Sequence, residues 1–430
     1  VSIESLSTLP PVKLAANGIT IGSTTTNADD VGIAYADIQS TGGDLVVNAV
    51  SGGVVISDST LKNTGAGNLK VSAPVSSVAV SSSTFSTTSG NILLEGGVSA
   101  GPTNDTAVRI ATGSITSGSG SVTISGKASG SGDGIALAGP LTISGSSVSL
   151  TGETDSPGAT GVYLGAHGTT LTGSGPLTIS GIQTGTSGVG IMLDNANIAR
   201  ADNVTLDGRA GNSADAGVLL QGSQAQVDAG TATVLIKGRS STGPGVKISG
   251  DLLPAPPTPS VKGGDVSIEG TTTSGTALHL ERTQIKATDK LNLRALGGDL
   301  LLQSAEMSNT GSKASTLNAG NQSITIESGS SVVGLSDMVL VADRMQIDGL
   351  VNAGANASVI IRPLSAAQGI TLGGTDEANK LNLTQSELNN LKGKLVRVGW
   401  NGGAVQVLGP VSLGTSAEPA SLLLQSHATT

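Results

Sequence analysis

The stretch "NVTLDGRAGNSADAGVLLQGSQ", residues 203–224, decides the fold. It holds two strand-sized pieces, VTLDG and GVLLQG, separated by small and polar residues. In the first, Val204 and Leu206 alternate with Thr205 and Asp207. Side chains alternate between the two faces of a strand with period two, so each piece is predicted to be a short strand with one buried face.

The same piece recurs as LVVNA at 45, LKVSA at 69, ILLEG at 92, VTISG at 122, VSLTG at 148, LTISG at 177, VLIKG at 234, VSIEG at 266, LNLRA at 291 and ITIES at 324. Successive starts lie roughly 23 to 33 residues apart, a spacing that marks stacked repeats. The first and third positions are aliphatic throughout. The fifth is Ala49, Ala73, Gly96, Gly126, Gly152, Gly181, Gly208, Gly238, Gly270 or Ala295, with Ser328 the exception. A small residue at that place predicts a tight corner directly after the strand. Second pieces follow in most units, such as VVIS at 54, VAVS at 78, GVYLG at 161 and ALHLE at 277, and weaker third segments such as ANIARA and RTQIKA complete several. An extra LTISG at 141 leaves the register open there.

Two or three strands per unit, with loops of variable length, describe one coil of a parallel β-helix in which each strand pairs with its equivalent in the next coil. A propeller blade needs four antiparallel strands, and a leucine-rich repeat needs a spacing absent here. The expectation is an all-β chain, a parallel β-helix or β-solenoid of about 14–15 coils. Residues 1–44 read as early, irregular coils, 45–365 as the regular shaft and 366–430 as a closing module.

Composition agrees. With 63 glycines but one Trp, one Phe and two Tyr among 430 residues, the core must be filled by Val, Ile, Leu and Ala, which implies a narrow interior. A net charge of −9 with scattered basic residues excludes nucleic acid, which needs a basic footprint. No apolar run approaches the ~18 residues of a membrane-spanning helix. The absence of cysteine excludes disulfides, Cys-zinc sites and thiol nucleophiles, and suits passage through an oxidising compartment. Val1 begins in mid-pattern, which reads as a fragment or processed product.

Three local features qualify the repeat. LLPAPPTPSV (252–261) resembles a linker, yet the repeat resumes at Val266, so it reads as an excursion from one coil. LTQSELNNLKG (383–393) predicts a short helix near 384–392, with Thr384 and Glu387 at capping-box spacing and Gly393 as its stop. The outward fourth positions Asp207, Lys237, Glu269, Arg294 and Glu327 alternate in sign, as facing charges on stacked coils would.

Residues 359–409 resemble a module of the filamentous-haemagglutinin-like large exoproteins. The resemblance rests on Arg362-Pro363 at a strand end, the turn from Ile370 to Asp376, the segment Leu381 to Leu388 and the strand Leu395 to Gly399, which has one extra residue before its glycine. The preceding coils resemble that family in style alone. The resemblance implies a right-handed β-helix, exported through a Gram-negative outer membrane by a two-partner transporter. Such proteins act at the cell surface or are shed, as adhesins, biofilm-matrix components or stalks of contact-dependent toxins.

Because β-helices also carry polysaccharide-processing enzymes, carboxylate clusters matter. Asp133, Glu153 and Asp155 occupy similar loops of consecutive coils, with Lys127 and Tyr163 as companions. His167, His279 and His427 have no second ligand at metal spacing, and Trp400 sits in a glycine-rich turn. No catalytic, cofactor-binding or metal-ligating residue is assigned, and no ligand-binding residue can be named. The expected function is a non-catalytic secreted or cell-surface adhesin shaft, with polysaccharide, cell-surface glycan or self-association as its contacts. A lyase or hydrolase using Asp133, Glu153 and Asp155, and a toxin stalk, are the alternatives.

Overall fold

The computed structural model describes residues 1–4, 10–22, 30–98, 106–130, 132–165, 168–211, 215–251, 258–375, 380–399, 403–415 and 418–426. The chain is a parallel β-solenoid of about 15 turns. It divides into two compact units, Val1–Gly230 and Thr231–Thr430.

In the first unit each coil contributes three strands, and each strand pairs in parallel with its equivalent in the next coil. The first-strand ladder places Leu45 beside Leu69, Leu69 beside Ile92, and then Val122, Val148, Leu177 and Val204 in turn. An earlier coil precedes them, with Ile19 beside Leu45. The second ladder stacks Ile33, Ile56, Val80, Ile110, Leu137, Leu164, Leu193 and Leu220. The third stacks Ile38, Leu61, Phe85, Ile115, Ile143, Leu171, Ile198 and Val227. LTIS at 141 belongs to this third ladder, which settles the open register there. The core is thus three columns of mostly aliphatic side chains stacked like on like, with the single Phe85 between Leu61 and Ile115 and all three buried.

The small fifth residue has a different cause from the expected corner. Gly126, Gly152, Gly181 and Gly208 lie inside the strands Ser121–Ala128, Ser147–Thr154, Leu177–Gln183 and Val204–Ala210, and none has positive φ. They point inward, where the chain entering the second strand presses against them. A Cβ on any of them would meet the carbonyl oxygens of Gly134, Gly161, Gly190 and Gly217 respectively, well inside the 3.0 Å that real Cβ atoms respect. Volume, not φ, selects glycine. The corner that does need a left-handed residue lies between the second and third strands, at Tyr35, Asp58, Ser82 and Asn195.

The second unit repeats the scheme. Val234, Val266 and Leu291 stack in register, so the coil closes beyond the proline-rich run. Residues 252–257 of that run lie outside the described residues. After Leu291 the expected register is wrong by one strand. Leu293 pairs with Leu317, and Leu317 with Leu340, which pairs with Ile361, so the first strands here are STLNA at 315 and MVLVA at 338. ITIES at 324 stacks instead on Leu300–Leu302 of the second ladder. The exception at Ser328 therefore disappears, because the true fifth position is Ala319, itself buried.

The helix spans Gln385–Asn389, with the capping box between Thr384 and Glu387 formed. It is shorter than expected: Asn390 caps it and Leu391–Lys392 return to the ladder beside Val351 and Asn352. Glu387 Oε1 accepts from Ile347 N at 3.0 Å, and Asn390 Nδ2 donates to Ile347 O at 2.8 Å. A small parallel sheet of Leu381–Leu383, Ile370–Leu372 and Val405–Val407 adjoins it.

Candidate functional site

The three acids singled out in the sequence do not form a free cluster. Asp133 Oδ1 accepts from Thr160 N at 2.7 Å, tying one coil turn to the next. Burial pushes its carboxyl above the ordinary carboxylate value, opposed by that hydrogen bond and by Arg109. Asp155 Oδ1 accepts from Gly130 N at 3.0 Å. Glu153 pairs with Lys127 at 3.0 Å, and the two are register partners on adjacent coils. Each acid therefore holds a coil. Among the described residues no group of three or more His, Cys, Asp or Glu could hold a metal ion.

His279 is not isolated in space. Its Nε2 lies 2.6 Å from Gln303 Oε1, and Gln303 Nε2 donates to Glu327 Oε1 at 2.9 Å, a polar chain across three coils. This explains why the expected charge ladder breaks. Glu269 and Arg294 do face each other, with an ion pair of 3.3 Å, and Lys237 is the register partner of Glu269. Arg294, however, stands beside Asn318, whereas Glu327 follows Gln303 in the other ladder. A charge relay absent from the expectation links Lys313 to Asp289 at 2.5 Å and to Asp265 at 3.8 Å, and these carboxylates hold the ammonium above its ordinary value. His167, His427 and Trp400 lie outside the described residues.

The interior carries polar groups of its own. Arg200 points inward at the end of the third strand Asn197–Arg200 and is buried. Its Nε and Nη2 donate to Gly175 O at 3.0 and 2.6 Å, Nη1 donates to Thr172 O, and Nη2 reaches back to Gly145 O at 3.4 Å. Gly173, its register partner, leaves the space for the guanidinium. Burial lowers its proton affinity and Asp202 partly restores it.

The outer side of the third ladder in the first unit is a uniform polar surface. Four consecutive coils present hydroxyl pairs there: Thr84 and Ser86, Ser114 and Thr116, Thr142 and Ser144, Thr170 and Thr172. They are in register coil by coil. The inward residues between them, Phe85, Ile115, Ile143 and Leu171, are buried. The pattern is visible in the sequence as T-x-S or its variants at 84, 114, 142 and 170, but the third segments are too short to stand out until pairing aligns them. At the other end of the chain, a recess of about 660 Å³ is lined by Leu350, Asn352, Lys392, Lys394 and Ser421, among others.

No family model matches the chain, no curated protein matches it and no solved structure matches it. Among the described residues no helix is long and apolar enough to cross a membrane.

Proposed function

We propose that the chain is a non-catalytic adhesive shaft, displayed on or shed from the outer surface of a Gram-negative cell after export by a two-partner outer-membrane transporter. The observation that supports a passive shaft is the engagement of Asp133, Glu153 and Asp155 in contacts that join one coil to the next. With those acids committed, the chemistry left to the surface is rows of polar side chains repeated at the coil spacing. Such rows bind extended partners through many weak contacts whose avidity compensates for low individual affinity. The contacts belong to polysaccharide, cell-surface glycan or a sister molecule.

One observation favours the enzymatic alternative: a carboxyl raised by burial, as at Asp133, is what a general acid requires. The deciding experiment incubates the chain with a panel of bacterial and host polysaccharides and measures both retention and chain length. Saturable retention of intact polymer is expected. Shortened polymer would overturn the adhesive reading and direct attention to Asp133.

A further inference from the structure

Resting on the adhesive reading of the shaft, we propose that the hydroxyl face of the first unit binds the same face of a second copy of this chain, with the two copies antiparallel. Three observations carry this.

The first is the chemistry of the face. Its central eight residues, from Thr84 to Thr172, are all Ser or Thr. A hydroxyl both donates and accepts, so a lattice of hydroxyls complements itself in either direction, whereas a row of carboxylates or ammonium groups repels its own copy. The face lacks what other partners need: its central rows contain no carboxylate for a cation, no cationic group for an anion and no aromatic ring for sugar stacking.

Periodicity is the second observation. The rows follow the ladder spacing of about 4.8 Å. A second copy is guaranteed to have the same period, so every row can meet a row along the whole contact. A flexible glycan carries no such guarantee.

The third is charge. The outer columns run through the register pairs Lys62 to Ser86, Thr116, Ser144 and Thr172, then Ala199 and Asp228. Lys62 therefore closes one end of the hydroxyl rows, and Asp228, whose Oδ1 accepts from Gly230 N at 2.7 Å, lies two rows beyond Thr172 at the other. A parallel pair would put the two Lys62 residues in the same row and the two Asp228 residues in another. An antiparallel pair about a two-fold axis through the Thr142 row preserves the columns and brings each Lys62 opposite an Asp228. Thr142 then faces Thr142 and Thr116 faces Thr172, while Thr84 and Ser86 face Asn197 and Ala199, so three of the four hydroxyl rows meet hydroxyls.

From row to row the contact runs six ladder spacings, about 29 Å, and one strand of roughly 15 Å across. That is about 400 Å² per partner, half of a standard interface. A single pair of faces is therefore weak and reversible, and many copies arrayed on a surface would hold by avidity.

The test uses the full chain in sedimentation velocity across a concentration series. Wild type is expected to associate with increasing concentration. T116K/T142K, which sets lysines against each other, is expected to weaken association roughly tenfold or more, and mixing it with T116E/T142E is expected to restore it. T123K/T178K, on the outward side of the first ladder, should behave as wild type. Because the chain has no cysteine, T142C should yield a disulfide-linked dimer under oxidation and T123C should not. A wild type that stays monomeric, association unmoved by T116K/T142K, or equal cross-linking of both cysteine variants would each overturn the proposal. A monomeric chain that still retains intact polysaccharide would sink this proposal alone; shortened polymer would sink the adhesive reading whatever the oligomeric state.

Discussion

The carbonyl oxygen of Gly161 occupies the place where a Cβ on Gly152 would have to sit. This contact joins the first strand of a coil to the entry of its second strand, and it recurs at Gly181 with Gly190 and at Gly208 with Gly217. It sets the width of the coil. Gly152→Ala is therefore expected to destabilise the chain by about 3 kcal/mol, the upper range for forcing volume into a packed interior. Ala73 occupies the equivalent place in a coil that already accepts a methyl group. Ala73→Gly should cost about 1–2 kcal/mol, from backbone entropy and the lost burial of its methyl group. Urea unfolding midpoints of the two variants compare the effects directly, and equal small losses would show that the coil can widen.

Arg200 offers a second test, because its guanidinium fills the corner beside Gly173 and supplies donors to the carbonyls of Gly175 and Thr172. Arg200→Ala is expected to cost about 3–4 kcal/mol, combining a cavity with buried carbonyls left without donors. Lysine lacks the planar fork that spreads donors over several acceptors, so Arg200→Lys should recover less than half of that loss. Full recovery by lysine would mean that the charge, not the fork, holds the corner.

How far the sequence reached depends on what each strand pattern can distinguish. The stacks from Leu45 to Val204 in the first unit and from Val234 to Leu291 in the second were legible because aliphatic alternation and a small fifth residue occur together. Past Leu291 the same cues misled. Ser315 opens a first strand without an aliphatic residue, while Ile324 and Ile326 in a second strand imitate one. Both strands bury every other residue, so only pairing between coils separates them. The identity of the glycine was legible but not its cause, since close approach of a carbonyl leaves no local signal. Arg200 was hidden for a related reason: a charge reads as outward, and nothing nearby in the chain announces the carbonyls that receive it. Among the candidate acids, spacing put Glu153 in a loop, whereas it lies in the strand Ser147–Thr154 as the register partner of Lys127. Spacing could not reveal that Asp133 and Asp155 were already accepting backbone hydrogen bonds.

Asp133 makes the stability of the shaft depend on pH in a defined direction. Burial raises its folded value above 3.8, so the folded chain binds the proton more tightly than the unfolded one. Its contribution is fully present below the unfolded value and is lost as pH rises through the folded value. Asp133→Asn keeps an oxygen for Thr160 N while removing the buried charge. That variant is expected to lose less stability than wild type between pH 4 and pH 7, and Asp133→Ala to be less stable than Asp133→Asn at both. Unfolding at the two pH values checks this; a larger pH dependence in the asparagine variant would contradict the assignment to burial.

Glu387 bears on how the helix is held. Its Oε1 accepts from Ile347 N, while Oε2 accepts from Thr384 N at 2.8 Å and from the Thr384 hydroxyl at 2.9 Å. One carboxylate thus closes the capping box and docks it on the strand Met338–Ile347. A five-residue helix has too few internal hydrogen bonds to persist alone, so its order depends on that docking. Glu387→Ala removes both links and leaves the buried Ile347 N–H without its acceptor, at an expected cost of about 2–3 kcal/mol. Glu387→Gln retains one acceptor oxygen, which can serve Ile347 N or the capping box but not both, and should lose roughly half as much. Because neighbouring coils contribute separately to stability, the loss should be local. Amide exchange is expected to accelerate at Ile347 and across residues 385–389 while the amides of Ile124 and Leu150 keep their protection. Acceleration spread evenly over the chain would mean that the helix is coupled to the whole stack rather than to the strand end it touches.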